Sequence, residues 1–110
     1  MSNVSEEREE RIASDARTFQ VLAEQGADFA KEHSIDFFFV GEERLLQGVE
    51  AALALQGYVK NPEHEVANEL MVQRNLTLEA MQSQNITEML YALAIEHGVD
   101  FDGWGTVARK

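Results

Sequence analysis

The 110-residue chain contains no cysteine, which excludes disulfides, thiolate metal sites and cysteine nucleophiles. Proline occurs once, at Pro62, and tryptophan once, at Trp104. No apolar run is long: Phe37–Val40 and Ala51–Leu55 fall far short of the ~20 residues a membrane helix needs. The N-terminal stretch Ser5-Glu6-Glu7-Arg8-Glu9-Glu10 is the reverse of a basic, apolar secretory leader, so a soluble, cytoplasmic protein is expected. Positive charge is also scarce. Nine basic residues face twenty acidic ones, a formal net charge of −11. Between Ser34 and Val107 only Arg44, Lys60 and Arg74 stand against twelve acids. Such a surface repels phosphate backbones and favours basic partners, which argues against direct nucleic-acid binding. Acidity kept for solubility alone explains the same numbers equally well.

The motifs of catalysis are missing as well. Gly41 stands alone after a strand, with no GxGxxG or Walker pattern around it. His64-Glu65-Val66-Ala67-Asn68 approaches the zinc-protease HExxH pattern, but Asn68 occupies the second ligand position, so no metal site is assigned. His33, His64 and His97 each fall at a predicted loop or helix end. Glu42 and Glu43 open a helix, where acids belong anyway. Asp100 and Asp102 alternate with Val99 and Phe101, the pattern of a strand with one solvated face. Met71, Met81 and Met89 coincide with predicted core faces or their borders. No catalytic residue and no cofactor is indicated.

What is present is enough apolar sequence, 45%, for one core and one domain over residues 1–110. Three glycines punctuate three helical patterns. The first runs from about residue 6 to 25, with Ile12, Ala16, Phe19, Leu22 and Ala23 on one face, and Gly26 ending it. The second covers about 42–56, with Leu45, Val49, Ala52, Leu53 and Gln56 at helical spacing before Gly57. The third starts at Asn85, an N-cap with Glu88 completing a capping box. It carries Ile86, Met89, Leu90, Leu93 and Ala94 on its apolar face and closes at Gly98. Four segments read as strands: Ser34–Val40, apolar on both faces and therefore central; Tyr58–Ala67, polar, with Pro62, and therefore an edge; Glu69–Leu78; and Val99–Ala108. After the first helix the order is β-α-β-β-α-β. This is the α+β, ferredoxin-like split βαβ fold: a four-stranded antiparallel sheet with two helices on one face over about 34–108, plus an N-terminal helix.

The segment Asp102-Gly103-Trp104-Gly105-Thr106 needs a separate account. Val99 and Phe101 define the buried face of the last strand, so strict alternation would send Trp104 to the other side. A bulge at Gly103 would shift the register and return the indole to the core. The alternative is an exposed indole on the open sheet face, serving as an interface anchor.

With this segment the chain resembles the regulator of ribonuclease E activity B family, protein inhibitors of that RNA-degrading enzyme. Val99-Asp100-Phe101-Asp102-Gly103-Trp104-Gly105-Thr106 is close to the family's V-x-[FY]-D-G-W-G-T ending. Leu93-Ala94, Gly26-Ala27-Asp28, Ile35–Phe39 followed by Glu42-Glu43, and Gly57-Tyr58 before Pro62 match in order, over roughly residues 20–106. The resemblance implies a ferredoxin-like fold and a non-enzymatic role: binding the ribonuclease and lowering cleavage of some transcripts. Family regulators continue into a long acidic tail, whereas here Val107-Ala108-Arg109-Lys110 is basic. The expected partner is a ribonuclease E-like enzyme or its basic scaffold segment. The candidate docking acids are Asp36, Glu42, Glu43, Glu50, Glu63, Glu65, Asp100 and Asp102. Two other readings stay open: a small-ligand domain with Trp104 as a stacking platform, and self-association through the open sheet face or an edge.

Overall fold

The computed structural model describes residues 4–110. Its elements are α1 (Val4–Glu24), β1 (Glu32–Val40), α2 (Glu43–Ala54), β2 (Val59–Lys60), β3 (Glu69–Thr77), α3 (Leu78–Ser83), α4 (Ile86–His97) and β4 (Asp100–Gly105). The strands form one sheet in the order β2-β3-β1-β4, and every neighbouring pair is antiparallel. β3 therefore separates β1 from β2, and β1 separates β3 from β4, the interleaving expected of a split βαβ. None of the described helices is long and apolar enough to cross a membrane.

The central strand owes its place to having apolar side chains on both faces. Ile35, Phe37 and Phe39 are fully buried against the helical layer, where Leu46, Val49 and Leu53 of α2 meet Ile86, Leu90 and Ala94 of α4. Leu70, Val72 and Leu76 of β3, Tyr58 and Val99 complete this core. Burial of each large side chain contributes about 1.5–3 kcal/mol. On the opposite face Phe38 is half-buried, with the His64 ring edge-on to it at 6.0 Å. Rows across this face run Glu69–Val40–Asp100, Met71–Phe38–Gly103 and Gln73–Asp36–Gly105.

Several boundaries differ from the sequence reading. The edge strand is two residues long, because Pro62 has no N–H to donate and the Asn61 side chain accepts the Glu63 N–H at 2.9 Å, turning the chain. Residues 78–83, assigned to no helix, form α3. Its N-cap is Thr77, whose hydroxyl accepts the Ala80 N–H at 3.0 Å. Asn85 makes no capping hydrogen bond through its side chain. It sits at φ 50°, ψ 47°, reversing the chain in the tight link between α3 and α4, a left-handed conformation asparagine tolerates.

The apolar stripe read in α1 is also mostly outside the core. Ile12 is 50% exposed, and among the described side chains of the helix only Leu22 is buried. The face that packs is instead largely polar: Arg8 and Arg11 pair with Glu88 at 3.0 and 3.3 Å, and Arg11 also lies 3.6 Å from the centre of the Tyr91 ring. Met89 is 41% exposed rather than core. His33 is not in a loop; it lies in β1 and is fully buried.

Candidate functional site

The sequence-derived acids separate into three places. Glu43 and Glu50 lie seven residues apart on α2, on the face that looks toward the segment from Lys60 to Leu70. Between helix and segment is a cleft of about 470 Å³. Its lining includes the apolar Leu46, Leu70 and Val66, together with Glu43, Glu50, Glu65 and Glu69. Only two of these carboxylates have a partner among the described residues: Glu50 lies 3.8 Å from the Lys60 ammonium, and Glu69 lies 3.2 Å from His64 Nε2. Glu42 and Glu63 are exposed near the cleft but do not line it.

Asp36 and Asp100 belong instead to the open sheet face, opposite Gly105 and Val40 respectively. The Asp36 carboxylate accepts a 2.7 Å hydrogen bond from the Gln73 side-chain amide. Asp102 is exposed in the last strand and has no partner residue in β1. The structure thus brings together Glu43, Glu50 and Glu65 and leaves the other five apart. It adds Glu69, which sequence reasoning used only as the start of a strand. Glu69 also faces Val40 in the row that ends at Asp100, so it joins the cleft to the sheet surface. Among the described residues there is no group of three or more His, Asp or Glu side chains that could hold a metal ion.

The Asp102–Thr106 segment resolves into local construction. In β4, Phe101 pairs with Phe39 and Gly103 with Phe38, so Asp102 is the extra residue of a bulge. Gly103 has φ 115°, a region that residues with a Cβ rarely occupy. One residue later Trp104 faces Phe37, on the helix side of the sheet. There the half-buried indole lies 5.0 Å from the Phe19 ring. Its Nε1–H donates to Asp15 at 3.0 Å, and the Thr87 hydroxyl donates to the same carboxylate at 2.6 Å. Thr106 then donates its hydroxyl to the Ser34 carbonyl at 2.8 Å. Trp104 and Asp15 therefore clasp α1 to the sheet, and the open-face platform is not formed.

This arrangement makes Gly103 sensitive for a backbone reason. A Cβ there would meet nothing within 4 Å, so substitution brings strain and not a clash. Gly103→Val is expected to cost about 1–3 kcal/mol, read as a lower urea midpoint with the slope unchanged. A melt identical to the parent would mean that the bulge does not depend on the glycine.

Comparison with known proteins adds two findings. Residues 12–106 match the family model described as Regulator of ribonuclease activity B. A protein from Pseudoalteromonas atlantica (strain T6c) named Regulator of ribonuclease activity B is 30% identical over 115 aligned residues, spanning 93% of this chain and 94% of that protein. No solved structure matches.

Proposed function

The chain belongs to the regulator of ribonuclease activity B family, and from that premise we propose that it regulates a ribonuclease by binding it through the acidic cleft beside α2. The observation that carries this reading is the pairing of apolar lining with unpaired carboxylates in one concavity. Arg and Lys side chains have long aliphatic stems and cationic heads. Leu46, Leu70 and Val66 suit the stems, and Glu43, Glu65 and their neighbours suit the heads. The occupant is a basic segment of the ribonuclease or of its scaffold. Binding there lowers cleavage of some transcripts without any chemistry by this chain, and the net charge of −11 keeps RNA itself away. The setting of this reading is the cytoplasm.

The expected result of affinity capture from a bacterial lysate is recovery of a basic RNA-processing enzyme. Its retention should fall steeply as salt is raised from about 50 to 300 mM, because the screening length shortens from above 10 Å to well below it. Capture that is indifferent to salt would sink the acidic-cleft mechanism.

A further inference from the structure

His33 is fully buried, and both its ring nitrogens are committed. Nδ1 lies 2.9 Å from the Lys31 carbonyl oxygen, an acceptor, so Nδ1 carries the proton. Nε2 lies 3.0 Å from the Arg109 backbone nitrogen and accepts its N–H. This pair of partners defines a neutral imidazole in one tautomer. Adding a proton at Nε2 would set two N–H groups against each other and leave a cation with no solvent contact.

That ring nitrogen is one of several attachments holding residues 106–110. The Asp28 N–H donates to the Arg109 carbonyl at 2.6 Å, the Arg109 guanidinium donates to the Glu32 carbonyl at 2.9 Å, and the Lys31 ammonium reaches the Lys110 backbone oxygen. Ala108 packs on the core. The attachments other than His33 are a backbone bond, the Thr106 hydroxyl on the Ser34 carbonyl, and bonds from Arg and Lys side chains to backbone oxygens. They do not change between pH 5 and 8. Histidine is the side chain whose ordinary titration falls in that window.

We propose that His33 is a proton-operated latch for residues 106–110: the neutral ring holds the segment against the start of β1 and the loop before it, and the protonated ring releases it. Docking is therefore favoured where the ring is neutral, with Nε2 free to accept the Arg109 N–H, and weakens where a second proton occupies that nitrogen, that is, as pH falls. Other charged groups surround the latch. Asp28, Lys31 and Glu32 precede the ring, Arg109 and Lys110 face it, and Glu79 approaches from α3, its N–H donating to the Phe29 carbonyl at 3.2 Å. Opposite the ring on β3 is the uncharged Leu76. Release uncovers the end of the open sheet face, because Thr106, Val107 and Arg109 line the same hollow as Asp36. The latch therefore controls access to an acid the sequence singled out, and it does so independently of how the cleft is used.

The test is a nuclear magnetic resonance titration of the full chain from pH 8 to pH 5. Imidazole nitrogen shifts give the state of His33, and the amides of residues 107–110 give docking. The expected result is an Nδ1–H tautomer at pH 8, then movement of those amides toward random-coil positions in step with His33 protonation. His33→Gln places an untitratable acceptor near Nε2 and should keep the segment docked across the range. An Nε2–H tautomer at pH 8, a ring still neutral at pH 5, or a protonated ring with the segment docked would each overturn the proposal in the unaltered protein. Release that persists in a folded His33→Gln would assign it to the surrounding carboxylates and overturn it too.

Discussion

Phe37→Ala is expected to cost about 3–5 kcal/mol, while Phe38→Ala, one residue away, should cost about 1 kcal/mol. Phe37 is fully buried between the sheet and the helices, with the Tyr58 ring edge-on at 5.5 Å. Truncation there leaves a cavity that fixed neighbours cannot fill. Phe38 points to the other side, where Met71 and Gly103 flank it in the sheet and solvent can take up the space. A domain of this size has only about 5–15 kcal/mol to lose, so the first variant approaches the limit of folding. Urea unfolding monitored by circular dichroism distinguishes the two. Equal losses, or the reverse ranking, would mean that the register of β1 is displaced by one residue.

The second large effect concerns binding. Reversing three cleft charges together, Glu43→Lys, Glu50→Lys and Glu65→Lys, should weaken capture of the ribonuclease at low salt by 100-fold or more, about 2.7 kcal/mol. Most of the loss is expected in the association rate, since steering depends on the sign of the field. Stability should move little, because these side chains are at the surface. Reversing Asp100 and Asp102 instead, away from the cleft, separates a local site from a general charge effect. If that pair weakens binding as much as the cleft triple, the cleft is not the docking surface.

How far the sequence reaches is set by where the deciding interaction lies. Ile35–Phe39 announces a central strand because apolar residues on both faces leave no solvated option. The bulge was legible from parity alone: Trp104 could reach the core only if one residue near Gly103 slipped out of the ladder. Helix ends at Gly26, Gly57 and Gly98 were legible too, and all three have positive φ. On α1 the apolar contacts of Phe19 and Leu22 were legible, but the polar part of its inward face was not, because it recognises Glu88 and Trp104 through Arg8, Arg11 and Asp15. Hydrophobic periodicity carries no trace of such contacts. α3 escaped because its cap, Thr77, is also the last residue of a strand. Glu69 gains its meaning from a partner five residues away, and His33 from its contact with a backbone N–H seventy-six residues away as well as from the nearby Lys31 carbonyl. The cleft, built from two separate stretches, was visible only as a list of acids without a shared location.

The shortness of β2 and the bulge in β4 have a consequence for the chain's behaviour at high concentration. Ile35-Asp36-Phe37-Phe38-Phe39-Val40 has the β-branched and aromatic content of a segment prone to fibril formation. In the folded molecule it is flanked on both sides by other strands, so another copy could reach it only by adding to the outer strands. β2 offers a two-residue template ending before Pro62, and β4 is broken by its bulge. Both are poor seeds for intermolecular pairing. Aggregation of this protein should therefore track global unfolding, and conditions that leave the sheet closed should keep concentrated solutions clear.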